Sequence, residues 1–325
     1  MQMCCEEQFI QPMWRDDSYP DPPAQSERCG TIFERFGRRL ANGEDASSPV
    51  AWPWMTRLLY VNNTDNPYQT FCGGALVTSR HVLTAAHCVK QEQLGGPVAV
   101  VLGDLVLTSE YDCMDTEDGC GASGARGRRC HRENKCADKS QIFLLQSVKA
   151  HEQYSFMGSQ LRSFPKYDIA ILVMTRPVIF SPTIRPICLP STPRRQSFDS
   201  PDEPLVLTGW GNTASGFQKH KSATVLQELT GLKEIPLAEC RTLLRLSLQE
   251  QHMCVWRRGT TKQACDGDSG GPVARRIRNS ASDSGVWELA GVVSFGSQCG
   301  ANSPLGVTRM GDRGVLEWVK KQIRE

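Results

Sequence analysis

From Val50 onward the chain is a succession of short apolar runs cut by Gly, Pro, Asn and Asp. Trp54-Met55-Thr56-Arg57-Leu58-Leu59, Gly74-Ala75-Leu76-Val77, Val98-Ala99-Val100-Val101-Leu102 and Ile169-Ala170-Ile171-Leu172-Val173 have the length and content of strands. Leu205-Val206-Leu207 and Leu289-Ala290-Gly291-Val292-Val293 read the same way. Many short strands at turn-bounded intervals predict sandwiches or barrels rather than βαβ units. Two segments carry helical spacing instead. Residues 236–248 place Leu237, Leu243, Leu244 and Leu248 near one face, and Val315, Trp318, Val319 and Ile323 form one stripe with Arg and Lys opposite. That stripe predicts a helix docked on the core, not on a membrane, and there is no internal repeat.

Composition narrows the classes. With 325 residues the chain can bury a substantial core in one large all-β domain or two smaller units. Its 37 basic and 35 acidic residues leave a net +2, so no global basic field argues for nucleic acid or an anionic membrane. No run of 18 apolar residues is present to span a bilayer. Fourteen cysteines, few of them in close zinc-type pairs, predict disulfides in an oxidising compartment, and Asn62-Asn63-Thr64 is a glycosylation sequon. The expected location is therefore extracellular, although the first twenty residues hold no apolar signal core.

Two segments stand apart. Residues 1–30 are polar and proline-rich, contain Cys4, Cys5 and Cys29, and lead to Arg38-Arg39 just before Leu40-Ala41-Asn42-Gly43. The dibasic pair reads either as a processing site or as a solvated charge pair. Residues from Cys113 to Cys136 hold Cys113, Cys120, Cys130 and Cys136, with the basic run Arg126-Gly127-Arg128-Arg129. A disulfide-stapled surface insertion at about 110–138 is the simplest reading. A zinc site using His131 and a basic docking patch are the alternatives.

The chemistry centres on Cys265-Asp266-Gly267-Asp268-Ser269-Gly270-Gly271-Pro272, too rich in Gly and Asp for helix or strand. Such a loop exposes one hydroxyl, which is inert unless a base removes its proton. Of six histidines, His87 lies in Leu83-Thr84-Ala85-Ala86-His87-Cys88, close-packed at the end of a strand as a general base must be. Asp168 opens the apolar run Ile169-Ala170-Ile171-Leu172, where a carboxylate facing a core needs a partner such as an imidazole N–H. Gly267-Asp268-Ser269-Gly270-Gly271 also fits the nucleophile elbow of α/β-hydrolases. That fold needs its histidine after the serine, and none follows Ser269.

The order His87, Asp168, Ser269 is the chymotrypsin-like one. Together with Thr208-Gly209-Trp210-Gly211 and Val292-Val293-Ser294-Phe295-Gly296, it makes residues 40–325 resemble a trypsin/chymotrypsin-family serine endopeptidase, residues 1–39 being a prosegment or light chain. The resemblance implies an all-β fold of two six-stranded antiparallel barrels with a C-terminal α-helix. It implies Ser269 as nucleophile, His87 as base and Asp168 as the group that fixes its tautomer, with the N–H groups of Gly267 and Ser269 as oxyanion hole. Cleavage after Arg39 would free Leu40, whose ammonium group would pair with Asp268. Ser294 would hydrogen-bond the buried aspartate, and Phe295 and Gly296 lie on the segment that pairs with substrate. Implied disulfides are Cys72–Cys88, Cys29–Cys188, Cys240–Cys254 and Cys265–Cys299. Leu205 and Arg275 stand where a further family pair would be.

The implied specificity is not tryptic. Gln263 stands where tryptic members carry a buried aspartate, so an Arg or Lys side chain would be desolvated without a counter-charge. Asp266 at the rim would repel acidic substrates. Aligning on Pro304 puts Leu305 at a wall position that is usually glycine and narrows the pocket; counting from Cys299 puts Gly306 there and leaves it wider. No cofactor or metal is expected. Expected partners are a protein or peptide substrate, an activating protease and serine protease inhibitors. The alternative, from another class, is a weakly active or inactive homologue serving as a binding scaffold.

Overall fold

The computed structural model describes residues 29–32, 50–61, 72–90, 95–109, 112, 139–155, 165–193, 204–212, 223–260, 264–278, 285–296, 299 and 301–325, and the backbone of 68–69. Cys4, Cys5, the dibasic pair with Leu40, Asn62, Gln263 and the cysteine-rich insertion lie outside the described residues.

Apolar alternation closes two barrels. In the first half, β1 (Met55–Val61), β3 (Gly73–Leu76), β4 (His81–Thr84), β7 (Ala170–Met174), β6 (Gln141–Ala150) and β5 (Pro97–Leu102) pair antiparallel in that order, and β5 returns to β1. The two-residue β2 (Tyr68–Gln69) extends the edge of β1. In the second half, β10 (His252–Trp256), β13 (Leu305–Arg309), β12 (Val286–Phe295), β11 (Pro272–Ile277), β8 (Leu205–Gly209) and β9 (Gln227–Ile235) form a closed antiparallel ring. Inward residues such as Leu58, Val100, Leu102 and Phe143 fill the first barrel, and Leu207, Met253, Val273 and Val307 fill the second. A short helix α1 (Ala86–Val89) follows β4, α2 (Leu237–Leu244) follows β9, and α3 (Arg313–Arg324) ends the chain.

The predicted runs are all strands, but β6, β9 and β11 carry charges that hid them. The buried acids of β9 are partnered rather than solvated: Trp52 Nε1–H donates to Glu228 at 2.9 Å, and Arg309 reaches Glu234 at 2.7 Å. On β11, Arg275 meets Glu288 of β12 at 2.5 Å, with both side chains largely buried. The neighbouring β8 begins at Leu205. The positions of the missing family cysteines are thus held by an apolar core residue and a cross-strand ion pair. The helix expected over 236–248 stops at Leu244 because Arg245 turns left-handed (φ 55°). The Arg241 guanidinium then caps the carbonyl of Leu248 at 2.7 Å.

α3 forms as its stripe predicted. Asp312 caps it by accepting from the Val315 N–H at 3.0 Å, and Val315, Trp318 and Val319 join the first barrel's core although the chain reaches them from the second. Trp210 adds a second strap between barrels, its indole N–H donating to Leu105 O at 3.1 Å. Disulfides join Cys29 to Cys188, Cys72 to Cys88, Cys240 to Cys254 and Cys265 to Cys299. The first anchors residues 29–32 on β12 through Gly30, which exchanges backbone hydrogen bonds with Pro186 and Trp287. No helix of the described residues is long and apolar enough to cross a membrane.

Candidate active site

Three segments from the two barrels converge. His87 sits on α1, whose first turn packs Ala85, Ala86 and Cys88 in the core, leaving only the imidazole to face outward. The Cys72–Cys88 bridge and the Tyr60 hydroxyl, donating to Cys88 O at 2.9 Å, fix this turn. Asp168 precedes β7 and its side chain is wholly buried, whereas that of His87 is 26% exposed. The carboxylate accepts from the His87 backbone N–H at 2.9 Å and from its ring at 2.8 Å. An ionised carboxylate only accepts, so Nδ1 carries the proton and Nε2 is left as the basic lone pair. Burial alone would lower the affinity of His87 for a proton. The charge and hydrogen bond of Asp168 outweigh it and hold the imidazole above its ordinary value.

The second barrel clamps this aspartate. Ser294 of β12 donates its hydroxyl to Asp168 Oδ2 at 2.5 Å, and Thr308 of β13 donates to the Asp168 carbonyl at 2.8 Å. On the opposite side Tyr167 adopts a left-handed backbone (φ 49°), uncommon for a bulky residue, and its ring stacks on His151 at 4.4 Å. Thr308 carries no sequence signal for this role, because it reaches Asp168 across 140 residues of chain.

Ser269 lies between β10 and β11. The loop reverses through Gly267 (φ 101°) and Gly270 (φ 77°), conformations that a side chain would strain. It is pinned to both barrels: the Gly73 N–H donates to Ser269 O at 2.8 Å, and the Gly270 N–H donates to Val293 O at 2.9 Å. Among the described residues, nothing accepts from the N–H groups of Gly267 and Ser269, and no hydrogen bond joins Ser269 Oγ to His87. His87 Nε2 instead lies 3.7 Å from Cys88 Sγ. Cys72, His87 and Cys88 bring metal-type donor atoms within 4.8 Å, but both sulfurs are committed to one disulfide.

Next to the serine, Asp268 is buried against the Thr208-Gly209-Trp210-Gly211 segment. Its oxygens accept from the Gly211 N–H at 2.8 Å and the Cys265 N–H at 2.9 Å. A Cβ on Gly211 would come within 2.4 Å of the carboxyl, so only glycine admits it. Burial raises this carboxyl to about 6, the two backbone hydrogen bonds offsetting only part of the cost. Asp266 is exposed, as is Gly296, and Phe295 is half-buried. The Phe295 ring covers Gly306, where a Cβ would meet it at 2.0 Å. Leu305 packs with Ala264 in the second core and points its Cδ1 toward Gly296. The wall between Ala264 and Gly296 is thus filled by Leu305.

A basic imidazole nitrogen oriented by a buried acid, beside a serine loop with two free N–H donors, suits acyl transfer. With two closed antiparallel barrels, this constellation defines the chymotrypsin-like class of hydrolases. The family pattern described as Trypsin matches residues 41–118 and 129–318, the gap falling inside the cysteine-rich insertion. The chain belongs to the trypsin family and is a serine endopeptidase. It is 31% identical to Serine protease 7 of Drosophila melanogaster over 94% of this chain and 68% of that one. Against the Proclotting enzyme of Tachypleus tridentatus the identity is 33%, over 93% and 70%. Against Chymotrypsin-C of Mus musculus it is 31%, over 93% and 96%. In three dimensions the chain resembles the Drosophila Grass clip serine protease of the Toll pathway, with a TM-score of 0.69, 26% identity, and coverage of 91% and 75%.

Proposed function

We propose that the protein is a secreted zymogen whose Ser269, His87 and Asp168 hydrolyse peptide bonds through an acyl-enzyme, after cleavage behind Arg39. The observation that carries this reading is the Asp168–His87 pair, closed by donors from both barrels beside the Ser269 loop. His87 Nε2 takes the Ser269 proton as the hydroxyl attacks the scissile carbonyl and later gives it to the leaving amine. Asp168 holds the tautomer and stabilises the imidazolium. The Gly267 and Ser269 N–H groups receive the oxyanion, worth about 3 kcal/mol per donor. The new ammonium group at Leu40 pairs with Asp268. An activating protease cuts after Arg39, serine protease inhibitors are natural regulators, and Asn62 carries a glycan.

The pocket wall supports small to medium apolar residues at the scissile position, with Gln263 as a neutral floor and Leu305 as the constriction. Replacing Leu305 by glycine removes four carbons from that wall. The ratio of kcat/KM for phenylalanyl over alanyl substrates should then rise about 10–100-fold, the range one or two buried methylenes command. An unchanged ratio would return the constriction to another residue.

The decisive experiment is a fluorophosphonate probe applied before and after cutting at Arg39–Leu40. The cut chain should label at Ser269 with one equivalent and the uncut chain far more slowly. A cut chain that stays unlabelled would favour a non-catalytic scaffold.

A further inference from the structure

We propose that His252 is a positioning residue for substrate binding, tying the loop that leads into Asp168 to the ring of Phe295 and so shaping the face that receives the acyl side of a substrate. The inference rests on the proposed function, in which the segment 294–296 pairs with that side of the substrate.

His252 opens β10 and is 2% exposed. Its Nδ1 accepts from the Gln249 N–H at 2.8 Å, which places the ring proton on Nε2. Nε2–H donates in turn to Pro165 O at 3.1 Å, across 87 residues of sequence. The ring stands edge-on to Phe295, with centroids 5.9 Å apart and planes at 76°. Its backbone pairs with Thr308, the residue whose hydroxyl holds the Asp168 carbonyl. One side chain therefore joins the stretch three residues before Asp168 to the residue following Ser294.

A mere space-filler would need neither ring nitrogen. Here both are used, each in one direction only, and only the neutral imidazole satisfies both. Burial accordingly depresses its affinity for a second proton, against the pull of the Pro165 hydrogen bond and of Asp168, while Lys166 acts with burial. Arg309 donates to the His252 carbonyl at 3.4 Å but is engaged by Glu234 at 2.7 Å. A second proton on Nδ1 would face the Gln249 N–H, break that contact and push the ring from its seat against Phe295. His252 touches neither ring nitrogen of His87 nor the Asp168 carboxylate, whose donors are His87 and Ser294. Its influence should appear in binding before it appears in chemistry.

The test uses the cut chain and its His252→Met and His252→Gln variants, on a peptide with four acyl-side residues and on a single-residue ester. Losing the Pro165 link in His252→Met should raise KM for the long peptide about tenfold, the worth of one buried hydrogen bond, with kcat and the ester within about twofold. His252→Gln retains an N–H for Pro165 and should recover part of that loss. In the unsubstituted enzyme KM for the long peptide should climb as the pH falls below the ordinary histidine range, and the climb should be absent in His252→Gln. The Gln variant alone decides the matter if the Met variant does not fold. Equal losses on both substrates, a fall in kcat at constant KM, or an acid climb of KM that persists in His252→Gln would each overturn the proposal. Fluorophosphonate labelling of the unsubstituted cut chain separates the two readings: no label defeats the proposed function, whereas normal labelling with an unmoved KM defeats only the role of His252.

Discussion

Ser269→Ala, made in the chain cut after Arg39, should lower kcat/KM for peptide hydrolysis by about 10⁴-fold or more while leaving the fold intact. The size follows from the geometry. The Nδ1–H of His87 is held by Asp168, so only the Nε2 lone pair is left to activate a hydroxyl. Without Ser269 Oγ the imidazole can act only on water, and the remaining rate comes from binding and the two N–H donors. The fold should be indifferent because the hydroxyl makes no hydrogen bond among the described residues, whereas the Ser269 carbonyl and its neighbours do the anchoring. Melting curves of the two proteins should superimpose within a degree or two. Hydrolysis in the variant at the parent rate, after titration excludes contaminating protease, would place the chemistry elsewhere.

The site was legible in the sequence where chemistry and backbone constraint coincide in one short stretch. Gly267 and Gly270 flank Ser269 because the turn demands left-handed glycine, and the order of His87, Asp168 and Ser269 excluded the elbow of α/β-hydrolases. What stayed hidden depends on partners distant in the chain. Thr308 reaches Asp168 across 140 residues, His252 reaches Pro165 across 87, and Ser294 was recognisable only through the family motif. The same distance effect explains the strands that escaped notice. β9 and β11 carry Glu228, Glu234 and Arg275, which look solvated in one dimension and are paired in three. Barrel closure was likewise implied by resemblance rather than by pattern, since periodicity identifies strands but not which strand returns to the first. At the pocket, two alignments of Leu305 and Gly306 were equally consistent with spacing. Only the paired strands show what surrounds the two residues: Gly306 lies opposite Phe295, where no Cβ fits, and Leu305 turns toward Gly296.

Asp268 should make activation a pH-dependent gain in stability as well as in activity. In the uncut chain its carboxyl has an affinity for protons of about 6 against an ordinary 3.8, because burial outweighs two backbone hydrogen bonds. The folded chain thus binds this proton more tightly than the unfolded chain does. Burial of the neutral acid carries no charge penalty below pH 3.8, and stability is lost as the pH rises from 3.8 through 6. The rise from 3.8 to about 6 corresponds to ~3 kcal/mol at pH 7. Under the proposed activation, cutting behind Arg39 would supply a cation to Asp268, since an α-ammonium stays charged up to about pH 8. The cut chain should therefore escape that loss. Denaturant unfolding at pH 4 and pH 7, with disulfides intact, should show cut and uncut forms nearly equal in acid and separated by up to ~3 kcal/mol at neutrality. Asp268→Asn should remove the pH dependence of that difference. It should also cost the cut enzyme about 10²–10⁴ in kcat/KM, as expected for stranding one partner of a buried ion pair. The loss should fall on fluorophosphonate labelling too, because the loop that carries the Gly267 and Ser269 N–H groups hangs on this carboxylate. A variant that labels and turns over normally would mean that Leu40 engages another acceptor, and the role assigned to Asp268 would have to be abandoned.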